Sequence, residues 1–179
     1  MNIREARYRS YSKGTCPYVS FIDDDDEVLD LSWLEQAIEI LENNPDVSAV
    51  YPRYETWERG QLLKTLPFEA RWNENLHRQL PPVAHHLTIM RRENVMAIHD
   101  MFKIHPVMTR MQEPLLTMGM LRFGRLVPLD VIAYRWMVRP NSMRITNDNG
   151  TVTLWSRNFI RETYDIFKQL SSQPAQLGK

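Results

Sequence analysis

The chain has 179 residues, enough for one domain or for one domain with a tail. Hydrophobic residues make up 43% and charged residues 25%, which excludes wholesale disorder. Lys and Arg number 22 and Asp and Glu 22, so a nucleic-acid partner gripped mainly through its phosphates is not expected.

The single Cys16 excludes an internal disulfide and makes a thiolate metal site unexpected. The first ten residues carry charges where a signal peptide needs an apolar core, and no run approaches the roughly 18 apolar residues of a membrane span. A reducing cytoplasm is the expected compartment. The balanced total hides an uneven distribution. Residues 1–20 hold four bases against one acid, then residues 23–46 hold ten acids and no base. From residue 47 onward the chain is mildly basic, with 18 bases against 11 acids.

In chain order, residues 3–12 read as a short helix closed by Lys13-Gly14. Tyr18-Val19-Ser20-Phe21-Ile22, entered through Pro17, reads as a buried strand, so Asp23, Asp24, Asp25 and Asp26 sit at its C-terminal end. Ser32 and Glu35 have capping-box spacing, and Leu34, Ala37, Ile38 and Leu41 repeat at helical intervals until Asn43-Asn44-Pro45. Residues 47–51 read as a second strand, with Pro52 marking an edge or an end. Strand, acidic turn, helix and strand together predict a βαβ unit and an α/β sheet.

Residues 53–85, broken by Pro67, Pro81 and Pro82, read as a long surface excursion. A short strand at 87–90 and a helix at 91–101 follow. Seven of the ten methionines fall between Met90 and Met120, where flexible core filling is the expected role. A helix is expected at 115–123 with Pro114 in its first turn and Gly124 closing it, then a strand at 127–136 around Pro128. Asn147-Asp148-Asn149-Gly150 predicts a hairpin, and Phe159, Thr163, Ile166, Phe167 and Leu170 line one stripe of a last helix. Residues 1–170 are expected to form one domain and 171–179 a flexible tail.

Four adjacent carboxylates repel one another unless a positive charge sits among them. Hard cations such as Mg²⁺ or Mn²⁺ take oxygen ligands, and ligands of open α/β sheets bind beyond the carboxyl ends of strands. A solvated loop leading to a helix N-terminus is the alternative reading of the same acids.

Further residues carry the reading beyond that choice. Glu5-Ala6-Arg7, then Gly14 through Asp26, resembles the middle of family 2 glycosyltransferases of the GT-A fold. There a helix with an Ala-Arg pair leads to a glycine, an apolar strand and a D-x-D-D signature. The resemblance continues through residues 33–41 and 44–52, then at residues 88–95 and 113–135, and covers about residues 4–143 apart from the 53–85 excursion. It implies a GT-A-like, partly Rossmann-like mixed sheet flanked by helices, with the C-terminal hairpin and helix added. It also implies transfer of a sugar from a nucleotide-sugar donor, such as a UDP-sugar, to a hydroxyl acceptor.

By that resemblance Asp23 lies near the nucleotide ribose, with Asp24 also on the donor side. Asp25 holds Mn²⁺ or Mg²⁺ on the diphosphate with Asp26 in support, and Glu113 is the catalytic base. Pro114 stands where the family has an Asp, so any base role falls to Glu113 or is lost. Met137 stands where the family's Tyr-Arg-x-His has its histidine. The chain also begins where the family is well under way, so the usual N-terminal nucleotide-binding strands are expected to be missing. An exposed sheet edge, and hence a homodimer or a partner chain, is expected to follow. A non-catalytic interaction or sugar-binding module derived from the same fold is the second reading. A carboxylate–metal phosphohydrolase is a third, lacking a nucleophile motif.

Among other residues, Arg91 and Arg92 are candidates for donor phosphate at a helix start, with a plain solvated face as the equal alternative, and Arg7 is a candidate for the donor. Trp57 and Trp72 are candidates for stacking on a sugar, with core or lid packing as the alternative. His85-His86 read as surface histidines, His99 and His105 lack a metal-ligand pattern, and Cys16 reads as packed.

Overall fold

The computed structural model describes residues 3–70, 87–102, 112–138 and 165. Helix α1 spans Ile3–Lys13 and ends before Gly14, as its sequence predicts. Strands β1 (Tyr18–Val19) and β2 (Glu27–Val28) flank the acidic turn, and α2 spans Trp33–Asn43. Then come β3 (Val47–Glu58), β4 (Gln61–Thr65), β5 (Ile89–Arg91), α3 (Arg92–Phe102), α4 (Gln112–Met120) and β6 (Arg125–Val138). The sheet order is β1-β5-β3-β6-β2, with β4 also on β3. Among the described residues only β3 and β6 run parallel, and the other pairings are antiparallel. The fold is a mixed α/β sheet with helices, as expected.

The expected βαβ unit is looser than the sequence suggests. β1 and β3 are not neighbours, because β5 lies between them and is antiparallel to both. β3 is also a long inner strand rather than an edge ending at Pro52. β6 covers one side of it, while β5 pairs with Ala49 and Val50 and β4 with residues 55–58. Pro52 falls where the β5 ladder has ended, the β4 ladder has not begun and the β3–β6 register shifts between Tyr51 and Arg53. Its missing N–H is therefore tolerated at that irregularity. The first part of the expected 53–85 excursion is thus strand and hairpin, turning at Arg59 and Gly60, both with positive φ (50° and 78°). Such a two-residue turn matches the strand twist.

β3 and β6 supply much of the core. Val47, Ala49, Val50, Tyr51 and Tyr54 are buried on one, with Leu126, Ala133 and Tyr134 on the other. The Tyr54 and Tyr134 rings stack at 5.1 Å. α2 buries Trp33, Ala37 and Leu41, spaced one turn apart, with Leu34 at its margin. Its start differs from the expected capping box. Ser32 already has helical dihedrals and makes no side-chain cap bond. Instead the Asp30 carboxylate accepts the Ser32 N–H (2.7 Å) and hydroxyl (2.9 Å), which holds the Asp30 carboxyl below the usual carboxylate range.

Met90, Met118 and Met120 are buried and Met96 and Met101 pack against the core, as expected of gap-filling methionines. Gly124 does more than close a helix. A Cβ there would lie 2.2 Å from the Asp46 carbonyl oxygen, so the entry to β6 can approach the entry to β3 only without a side chain. Among the described residues no helix is long and apolar enough to cross a membrane. The expected hairpin at 144–153, nearly all of the last helix and the 171–179 tail lie outside the described residues.

Candidate functional site

β1 ends at Val19, so the expected strand is shorter than 18–22. Its partner β5 begins only at Ile89, and Leu87 before it has positive φ (60°), which turns the neighbouring chain away. One bond persists beyond the ladder, from the Leu87 N–H to the Phe21 carbonyl at 2.8 Å. The chain then makes a tight turn, with the Asp26 N–H donating to the Asp23 carbonyl at 3.2 Å. The four aspartates therefore occupy a turn between β1 and β2 at the sheet's rim.

Two elements fix this turn. From α1, Arg7 is almost fully buried and donates to Asp23 Oδ1 at 2.7 Å. Its guanidinium lies 4.2 Å from the centroid of the Phe21 ring, a cation–π contact that pins the arginine beside the aspartate. From β6, the Met137 N–H donates to Asp26 Oδ1 at 3.0 Å. Asp24 is exposed and Asp25 half-buried.

Next to the turn lies a charged cluster that sequence reasoning missed. Arg135 donates to Glu27 of β2 (2.8 Å) and to Glu55 of β3 (3.1 Å), and both carboxylates hold its guanidinium protonated more firmly than usual. The same guanidinium lies 4.7 Å from the Trp57 ring centroid, while Trp57 Nε1 donates to Glu55 at 2.7 Å. Glu27 and Arg135 are 108 positions apart and meet only through the β2–β6 register, which no local pattern announces.

Other candidates are placed differently. Arg91 ends β5 instead of opening a helix. It donates to the carbonyls of Leu41 and Asn44 at the C-terminal end of α2 and to that of Val47 at the start of β3. Arg92 begins α3 and reaches the Tyr11 carbonyl of α1 at 3.4 Å. Trp57 sits in β3 with its face under Arg135, an intrachain packing role, and Trp72 lies outside the described residues. Glu113 falls in the first turn of α4, its side chain outside the described residues. Cys16 is exposed, not packed, because β1 begins two residues later. His99 is buried against the Tyr8 and Tyr11 rings, while His85, His86 and His105 lie outside the described residues. Among the described residues no three His, Cys, Asp or Glu side chains are grouped to hold a metal by themselves.

Residues 3–98, more than half of the chain, match the family described as glycosyl transferase family 2. The chain belongs to that family. No curated protein shows a significant match to it. Among solved structures it is similar to S. aureus TarS residues 1–349 in complex with UDP-GlcNAc, with a TM-score of 0.54 and 17% identity. That match covers 92% of this chain and 45% of the other. The same protein in complex with UDP gives a TM-score of 0.52 and 17% identity over 76% of this chain and 40% of the other. The chain therefore spans less than half the length of the structures it matches. The shared architecture is the mixed sheet of GT-A glycosyltransferases, and the family match includes both Arg7 and the four aspartates.

Proposed function

We propose that this chain carries donor-handling machinery of a glycosyltransferase that moves a sugar from a nucleotide-sugar, such as a UDP-sugar, to a hydroxyl acceptor. The observation that carries the reading is the Arg7–Asp23 pair. It ties the Ala-Arg helix to the aspartate turn at 2.7 Å, within the segment that matches the family. A buried, doubly oriented arginine beside one of four adjacent acids is expensive to maintain for a solvated loop alone, because ordering and desolvating a charge both cost free energy.

The turn fits a divalent ion of the Mg²⁺ or Mn²⁺ kind. Such ions are held by one or two carboxylates, with substrate phosphates and water completing the shell. Asp23, Asp24, Asp25 and Asp26 offer only carboxylate oxygens, the donor type such ions take. Asp25 would hold the ion, on the same turn as Asp24 and Asp26, and the ion would neutralise charge on the departing diphosphate. Arg7, bonded to Asp23 Oδ1, would hold that carboxylate in orientation to accept hydrogen bonds from ribose hydroxyls. Glu113, by family position, would take the proton of the acceptor hydroxyl as the anomeric carbon–diphosphate oxygen bond breaks.

A non-catalytic module is the second reading. It is favoured by Pro114 beside Glu113 and by Met137 on the strand that borders the turn. Release of UDP from UDP-GlcNAc with Mn²⁺ present separates the two. The enzymatic reading expects release by the wild type that falls at least about tenfold in Asp25→Ala, the usual scale for a lost electrostatic stabiliser. No release by folded wild-type protein with a panel of UDP-sugars and hydroxyl acceptors would leave the non-catalytic module.

A further inference from the structure

The resemblance gives Asp26 only a supporting part beside Asp25, and the structure gives it a partner of its own. β2 pairs with β6 only at Glu27–Arg135 and Val28–Tyr134, so its ladder stops short of Met137. The Met137 N–H is partly buried, and a buried backbone donor needs an acceptor. The Asp26 carboxylate provides it at 3.0 Å, taking up the edge of β6 where β2 has no further residue to offer. A charged acceptor makes this bond stronger than an ordinary backbone rung. One residue further along, Glu27 is bound by Arg135, which also binds Glu55. The aspartate turn is thus anchored to the C-terminal ends of β3 and β6 at consecutive positions.

We propose that Asp26 is a positioning residue. It tethers the carboxylate turn to β6 through the Met137 N–H, so that Asp25 is held in place for the donor's metal, and Asp26 itself need not ligate. This rests on the metal-assisted reading given above for the turn. The role depends on an oxygen acceptor at position 26, whereas ligation of a hard cation depends on the negative charge. Asn keeps the first and loses the second.

Two measurements on the whole chain test this. The first is amide hydrogen exchange at Met137 in wild type, Asp26→Asn and Asp26→Ala. The second is calorimetric titration of Mn²⁺ in the presence of UDP on the same proteins and on Asp25→Asn. Exchange at Met137 should stay slow in Asp26→Asn and rise about tenfold in Asp26→Ala, the value of one hydrogen bond. Mn²⁺ affinity should hold within a few-fold in Asp26→Asn, and fall about 10–100-fold in Asp26→Ala, as when an outer partner of a metal site is removed. Asp25→Asn should lose binding.

Loss of Mn²⁺ binding in Asp26→Asn with Met137 still protected would make Asp26 a ligand and overturn the proposal. Unchanged Met137 exchange in Asp26→Ala would overturn it as well. If wild type binds no Mn²⁺, the metal-assisted reading itself fails. The exchange rates then decide separately whether the tether exists.

Discussion

The two ends of the β3–β6 pair are held together by different physics. At the N-terminal end the close approach is backbone on backbone, with the exposed Arg125–Asp46 ion pair beside it. Gly124 lies against the Asp46 carbonyl, the Arg125 N–H donates to that carbonyl at 2.8 Å, and the buried Ser48 hydroxyl reaches the carbonyls of Gly124 and Arg125. Arg91 ties the end of α2 to the start of β3 through the Leu41, Asn44 and Val47 carbonyls. At the C-terminal end the work falls to charged side chains: Arg135 between Glu27 and Glu55, Asp26 on Met137, and Arg7 on Asp23. The first end tolerates almost no change of shape. The second can change charge and orientation while the sheet persists, and that is where the family's acidic signature lies.

Substitutions should separate the ends. The largest effect is expected from Gly124→Ala, which forces a methyl into the Asp46 backbone. Overpacking of this kind costs about 3 kcal/mol, the upper part of the usual range, and should lower Tm in calorimetry by about 6–12 °C. Arg91→Met should follow at about 2 kcal/mol, because it leaves helix-end carbonyls without their donor. Both should destabilise the protein before they alter its ligand affinity.

At the other end the order reverses. Arg7→Ala should cost only about 1 kcal/mol of stability, since its partner Asp23 is over a third exposed and screened by water, and part of the loss is the contact with Phe21. Affinity for UDP should fall about tenfold in the same variant, the size of one charge-assisted hydrogen bond, as read by titration at a temperature where both proteins are folded.

The smallest effect belongs to acid. Asp46 is exposed and its carboxyl is held below the usual value by the hydrogen bond from Arg125, at 2.6 Å. A depressed folded-state pKa gives stability that is complete above the unfolded carboxylate value, near 3.9, and is lost as pH falls through the lower folded one. Asp46→Asn should therefore flatten slightly the fall of Tm with pH below about pH 4, and leave the slope of Tm against pH unchanged near neutrality.

Legibility in the sequence follows the same division. The helix read at 3–12 before Gly14, the amphipathic face of α2 and the methionine-filled core all rest on local spacing, and the structure bears them out. The aspartates and the Ala-Arg pair were visible as a motif, because a family signature is a local string. What local spacing misses is pairing between distant strands. Pro52 reads as a strand end until β5, β4 and the shift in β6 are known to leave room for it. Arg91 reads as a residue opening a helix until the sheet places it at the end of β5, bonded to the Leu41 carbonyl of α2. Glu27, Glu55 and Arg135 look like ordinary surface charges until the β2–β6–β3 register brings them together.

The central claim, that the aspartate turn is built to receive a divalent ion with a nucleoside diphosphate, is tested most directly by calorimetric titration of Mn²⁺ with UDP into wild type and Asp25→Ala. The account predicts saturable binding that needs both components in the wild type and is lost in the folded variant. Heats that are equal in the two proteins, or absent from both, would contradict it.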